Sequence, residues 1–332
     1  MRRQAASIIR RGFNAEMLAL FLFSLLFVVL VRLDQDTHYV NLITERASFG
    51  GMPFSASRIL APTLVRLVHS AGLSILNAAL LVDFVACAAG MFVFAGFVKQ
   101  VCRQQVGLLL PATLLMLCLA ANCIVMSDIS YPDDLLAVLL FSAGLWAIAS
   151  SHTGVYYFAL VLGTLNRETA VYLVPSFLLL NLAGYLAQCR YGGVRRRLPA
   201  QLLYLASHVF VSVGIWILIR LILVRIFSEG SPVFYENHLA DNLAYLKSSA
   251  VSFRSMLLLY HFGGIWLLIP MVWRRIPRDL RLLLLLVPFI LVLYLYFGNL
   301  RGEARVLSEA SVIITAPVAA ALSTDRRAPV LS

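Results

Sequence analysis

Apolar residues run along this chain in blocks of about twenty, the length that crosses a bilayer core as a helix, and polar residues gather between them. The blocks predict spanning helices over residues 17–33, 75–98, 106–126, 135–150, 202–227, 256–273, 281–297 and 309–323. Residues 58–72 follow another pattern. Leu60, Leu64, Leu67 and Val68 recur at helical spacing beside Arg58, Arg66 and His69, which predicts a helix lying in the membrane interface. Residues 153–187 as one helix would measure about 52 Å, against a hydrocarbon core of roughly 30 Å. Asn166-Arg167-Glu168-Thr169 interrupts them. The sequence therefore predicts a short helix over 154–165 and a full span over 169–187, for ten membrane segments in an all-α polytopic protein.

Composition agrees with this pattern. Hydrophobic residues make up 61% of the 332 and charged residues 13%, whereas soluble domains are nearer one-quarter charged. A soluble dinucleotide-binding fold, a nucleic-acid reader and a disulfide scaffold are excluded. The five cysteines lie in or beside apolar stretches without metal-ligand spacing, and read as small buried hydrophobes. Arg2, Arg3, Arg10 and Arg11 precede an apolar run too long for a signal peptide, with no small-residue cleavage site after it, so a retained first helix is expected.

The net charge of +11 is informative by position. Splitting 153–187 at Asn166 places the Arg190, Arg195, Arg196, Arg197 cluster on the same side as the basic N-terminus, as the positive-inside rule requires. Both termini are then cytoplasmic. The acids fall mainly on the outer side: Asp34, Asp36, Glu45, Asp128, Asp133, Asp134, Glu168, Glu229, Glu236, Asp241, Glu303 and Glu309. Chemistry is to be sought there.

Four outer constellations stand out, each with a plainer alternative. Asp34 and Asp36 follow the first span; two carboxylates at i and i+2 can converge on one hydroxyl or cation, or simply end a helix where water begins. Asp128, Asp133 and Asp134 join the third and fourth spans, where one of the last two would cap the following helix. Asn166, Arg167 and Glu168 put an ion pair and an amide between apolar segments, which is costly and marks either a task or an Arg–Glu pair stabilising a broken helix. Arginine also matches phosphate geometry by bidentate hydrogen bonds. Arg301, Glu303 and Arg305 form the last outer turn, as a charge-mixed loop or as groups reaching inward. Asp83 lies mid-span and reads as polar glue between helices, and His38 lies close enough to Asp36 to share its site.

The arrangement resembles the GT-C superfamily, the polytopic glycosyltransferases that use lipid-phosphate sugars. The resemblance covers residues 1–190, with outer loops at 34–57 and 127–134, and rests on four features. An acid pair opens the first outer loop (Asp34, Asp36), an interfacial helix precedes the second span, a second acidic outer loop holds Asp128, Asp133 and Asp134, and a short helix ends in L-G-T-L-N-R-E-T. Residues 191–332 add further spans and an outer loop at 228–254, within a single integral membrane domain. The resemblance implies that Asp34 or Asp36 is the catalytic base, with Asp128 beside it. Arg167, with Arg301 or Arg305, would hold the departing lipid phosphate. The donor would be a polyprenyl-phosphate sugar and the acceptor a lipid-linked or cell-envelope glycan. No cofactor is required, although some members use a divalent cation (Mg or Mn), for which Asp36 and Asp128 would serve.

The chain lacks the soluble outer domain of many members of that superfamily, which favours a small acceptor over a folded protein. A bacterial inner membrane is the expected location. A lipid-linked sugar flippase or transporter, a polysaccharide polymerase or ligase, and a non-enzymatic assembly partner remain the alternatives. A transporter would more often show an internal repeat of spans, and none is visible.

Overall fold

The computed structural model describes residues 2–33, 44, 58–102, 106–125, 132–190, 198–227, 237–249, 261–300 and 307–323. Among these the chain is helical, with no strand. The helices are α1 (Arg2–Leu33), α2 (Leu60–Ser70), α3 (Ile75–Cys102), α4 (Leu109–Ala120), α5 (Pro132–Ala149), α6 (Thr153–Asn166), α7 (Leu173–Arg190), α8 (Leu198–Phe227), α9 (Leu239–Ser249), α10 (Leu268–Val272), α11 (Arg278–Leu283), α12 (Leu286–Phe297) and α13 (Ser308–Ser323). Five stretches are long and apolar enough to cross a membrane: Asn14–Val31, Ile75–Cys102, Pro132–Ala149, Ala200–Phe227 and Arg278–Phe297. Leu109–Cys123, Glu168–Leu182 and Ser308–Ser323 are shorter apolar helices. Such a set fits a multi-pass integral membrane protein.

Small residues set the packing. A Cβ on Gly90 would sit 3.4 Å from the Leu139 Cα, so α3 and α5 meet backbone to backbone and form the most extensive helix pair. Helix α13 runs through the middle of the bundle. Every residue from Ser308 to Ala321 is buried, and its alanines and serines let α3, α4 and α5 close around it. Helix α8 is the opposite case. Leu203, Phe210, Leu218 and Leu221 point outward, as expected of a face covered by lipid, while Ser212 and Arg220 turn inward. Asn242 of α9 is buried and bonds Leu295 O, Gly298 O and Leu300 N, docking α9 on the end of α12.

Several elements differ from the sequence expectation, for local reasons. Helix α1 extends back to Arg2. The third predicted span changes pitch, because α4 gives way to a π turn at Ala121–Val125. Within that turn the Asn122 side chain donates to Ser311 Oγ and accepts from the Phe262 N–H. The predicted span over 256–273 is irregular in its described part. Phe262, Gly263 and Gly264 all have positive φ inside a 3-10 stretch, a conformation that glycine makes accessible. The span over 281–297 is interrupted between α11 and α12. Pro288 has no N–H to donate to Leu284, and its ring crowds that carbonyl.

Helix α2 does form where amphipathic spacing predicts it. Val65 is buried against Ala78, Ala79 and Val82 of α3 and Ala61 is buried in the main core, while Leu67 is exposed. Arg58 does not belong to its outer polar face, as the spacing had implied. It is buried and turned into the bundle.

Candidate functional site

The helix break that the sequence places at Asn166–Thr169 is present. Helix α6 stops at Asn166, Arg167 is extended (φ −156°, ψ 149°), and a 3-10 turn over Glu168–Tyr172 leads into α7. Pro175 explains the restart: without an N–H it cannot continue a helix from Val171, yet it is tolerated in the first turn of α7. The break is held from several sides. The Arg167 N–H donates to Gly163 O at 2.7 Å, Ile59 N donates to Leu165 O at 3.0 Å, and Trp216 Nε1 donates to Glu168 O at 3.0 Å.

Helix ends converge there. Asp133 and Asp134 occupy the first turn of α5, where the N-terminal end of the helix dipole favours carboxylates. Arg167 Nη1 lies 2.8 Å from Asp134 Oδ1. Arg58 reaches Asp133 Oδ2 at 3.2 Å with Nη1 and Glu168 Oε1 at 2.7 Å with Nη2. Asn166 Nδ2 donates to the Asp133 carbonyl at 2.8 Å. From the first turn of α13, Glu309 accepts a hydrogen bond from the Thr169 hydroxyl.

Two guanidiniums and four carboxyls are thus drawn from α2's entry, α5, the break and α13 into one buried cluster. Charges taken out of water this way persist only when paired. The pairing uses one edge of Arg167. Its Nε and Nη2 have no hydrogen-bond partner among the described residues, nor do Glu168 Oε2, Glu309 Oε2 and Asn166 Oδ1. Beside Glu309 lies a cavity of about 10 Å³, otherwise lined by Ala137, Leu140, Phe141, Gly163, Ala170 and Leu173, with room for one water.

Two of these groups lie outside the spanning helices. Burial works against the Arg58 charge, and the Glu168 and Asp133 carboxylates together more than restore it, so its pKa stands above the ordinary arginine value. Burial pushes the Glu168 carboxyl up, but the charges of Arg58, Arg167 and Arg220 reverse this and hold it below the usual carboxylate range.

Of the residues read from the sequence, Asp133, Asp134, Asn166, Arg167 and Glu168 come together. Asp34, Asp36, Asp128, Arg301, Glu303 and Arg305, with His38, lie outside the described residues. Arg167 and Glu168 do not pair with each other, contrary to the simple Arg–Glu alternative; each has a partner from elsewhere in the chain. Among the described residues, no group of three or more His, Cys, Asp or Glu is arranged to hold a metal ion. Asp83 is fully buried in α3, as are Cys87, Cys118 and Cys123 in α3, α4 and the π turn.

Sequence reasoning missed three members of this neighbourhood. Arg58 was hidden by its place ahead of an amphipathic helix. Glu309 counted as an outer acid without being joined to the break. Arg220 carried a usable signal, since a charge inside an apolar span marks a site until shown otherwise. No family model, no curated protein and no solved structure matches this chain.

Proposed function

We propose that this protein is an integral membrane glycosyltransferase of the GT-C type. It would move a sugar from a polyprenyl-phosphate donor to a lipid-linked or cell-envelope acceptor at the outer face of a bacterial inner membrane. The reading takes the chain as ten membrane segments with both termini inside. In it, Asp34 or Asp36 removes the proton of the acceptor hydroxyl, with Asp128 nearby, and Arg301, Glu303 and Arg305 close the site from the last outer turn.

The observation that carries the reading is the state of Arg167. Its guanidinium is 1% exposed and is fixed through Nη1 by Asp134, while its Nε–Nη2 edge has no partner among the described residues. That edge presents two parallel N–H groups, the geometry that accepts two oxygens of a phosphate. A fixed positive charge in a site of low dielectric also suits a reaction whose leaving group is a lipid phosphate, because it needs no reorganisation as the anion develops.

The test is sugar transfer in proteoliposomes. Purified protein would receive radiolabelled polyprenyl-phosphate sugars and a membrane lipid extract, with Asp34→Asn, Asp36→Asn and Arg167→Ala compared with wild type. Loss of transfer in one Asp variant that still folds would fix both the reaction and the base. No transfer from any donor, with labelled lipid crossing the bilayer instead, would replace the enzyme by a transporter.

A further inference from the structure

We propose that the Glu168 carboxylate is a placeholder in an anion site built by Arg58, Arg167 and Arg220, and that the phosphate of a ligand displaces it. The choice of phosphate rests on the glycosyltransferase reading; the site itself follows from the cluster.

Exposure comes first. Within the ion pairs of the cluster the Asp133, Asp134 and Arg167 side chains are at most 2% exposed and Arg58 7%, whereas Glu168 is 17% exposed. Glu168 is therefore the least enclosed member of these pairs, although its unpaired Oε2 is itself buried, and it sits in the break between α6 and α7.

The anchoring of the arginines comes second. Arg58 is held by Asp133 as well as by Glu168, and Arg167 is held by Asp134. Both guanidiniums keep a fixed carboxylate when Glu168 swings out, so the cradle is formed before the ligand arrives. Such preorganisation removes the ordering cost that binding would otherwise incur.

The third observation is the surplus of donors. Glu168 fills only one of its own oxygens, while Nε and Nη2 of the buried Arg167 have no partner among the described residues. One carboxylate oxygen on a multi-arginine cradle is a poor match; a phosphate, with three free oxygens, satisfies more of these donors. Arg220 supplies the third charge. Trp216 of α8 donates to the Glu168 carbonyl, and Arg220 lies one helical turn further on the same face, where its charge bears on Glu168. Nothing covalent happens in this step. One anion replaces another on Arg58, the phosphate's further oxygens turn to the open edge of Arg167 and to the Arg220 charge, and the displaced carboxylate gives up its place at Arg58.

Binding of inorganic phosphate and of a polyprenyl phosphate to the full chain in detergent, read by calorimetry, tests this. Glu168→Gln keeps the shape and an oxygen for Arg58 but removes the competing charge, and should bind the anion about tenfold tighter or more, since like charges in contact repel strongly. Arg220→Gln should bind about tenfold more weakly. Thermal unfolding of both variants confirms that they fold. Tightening for both ligands assigns recognition to the phosphate group alone, and tightening confined to the polyprenyl phosphate assigns it to a lipid headgroup; either supports the placeholder. Unchanged or weaker binding by a folded Glu168→Gln protein, or no phosphate binding by either protein, overturns it. Sugar transfer by a wild type whose Glu168→Gln variant shows no tightening overturns the placeholder alone. Tightening in a protein that transfers no sugar overturns the glycosyltransferase reading alone.

Discussion

At the scale of single residues, Arg167 shows what a buried charge demands. It is excluded from water among apolar helices, and Asp134 at 2.8 Å is the partner that makes this tolerable. Removing one member of such a pair leaves the other charged and unpaired, so Asp134→Ala should destabilise the protein by about 3–5 kcal/mol. Replacing both, as Asp134→Leu with Arg167→Met, should restore most of that stability, because apolar residues of similar volume need no partner. Unfolding midpoints in detergent measure the stability, and the proteoliposome assay should find the double variant inactive. A stable, active double variant would make the pair neither structural nor catalytic. The residues of this site were legible in the sequence where polar groups interrupt apolar runs, as at Asn166 to Glu168 and at Asp133 and Asp134. Arg58 and Glu309 were not, because each sits at a helix end where a charge is ordinary. Only the packing of α2 against α3 and α6, and of α13 against α5, turns them inward.

Among the elements, long periodic stretches such as Ile75–Cys102 were readable from hydropathy alone, since nothing inside them competes with the helix. The irregular stretches depend on partners far away in sequence. The π turn at Ala121–Val125 and the left-handed residues at Phe262–Gly264 meet through one side chain, Asn122, which joins α4, α13 and the 3-10 stretch. No local pattern announces that junction; an asparagine in an apolar span is the sole trace of it. Asn122→Ala would leave the buried Phe262 N–H without its acceptor, so a loss of about 1–3 kcal/mol is expected. Chemical unfolding of the variant in detergent measures it. An unchanged midpoint would mean that the glycines alone hold the bend and that Asn122 has another task.

For the whole molecule, the question is which way the chain faces, and it turns on whether the segments on either side of the break at Asn166 cross the membrane separately. If residues 153–187 crossed only once, the arginines at 190–197 would lie on the side opposite the basic N-terminus. With α6 and α7 as separate passes, they lie on the same side. The two arrangements differ by one crossing and so reverse the side of every loop that follows. Single cysteines in a background whose native cysteines are replaced can separate them. That replacement is mild for the three that serve as small buried hydrophobes, Cys87, Cys118 and Cys123. Ser48→Cys in the first loop and Ser231→Cys in the loop after α8 should react with an impermeant maleimide added to intact cells. Gly192→Cys and Ser332→Cys should react only once the membrane is opened. Labelling of Gly192→Cys from outside would remove one pass. It would also put Ser231 and the loop around it on the cytoplasmic side, away from Asp34 and Asp36. No single-face reaction joining the first loop to the loops after α8 would then survive, whatever the ion cluster binds.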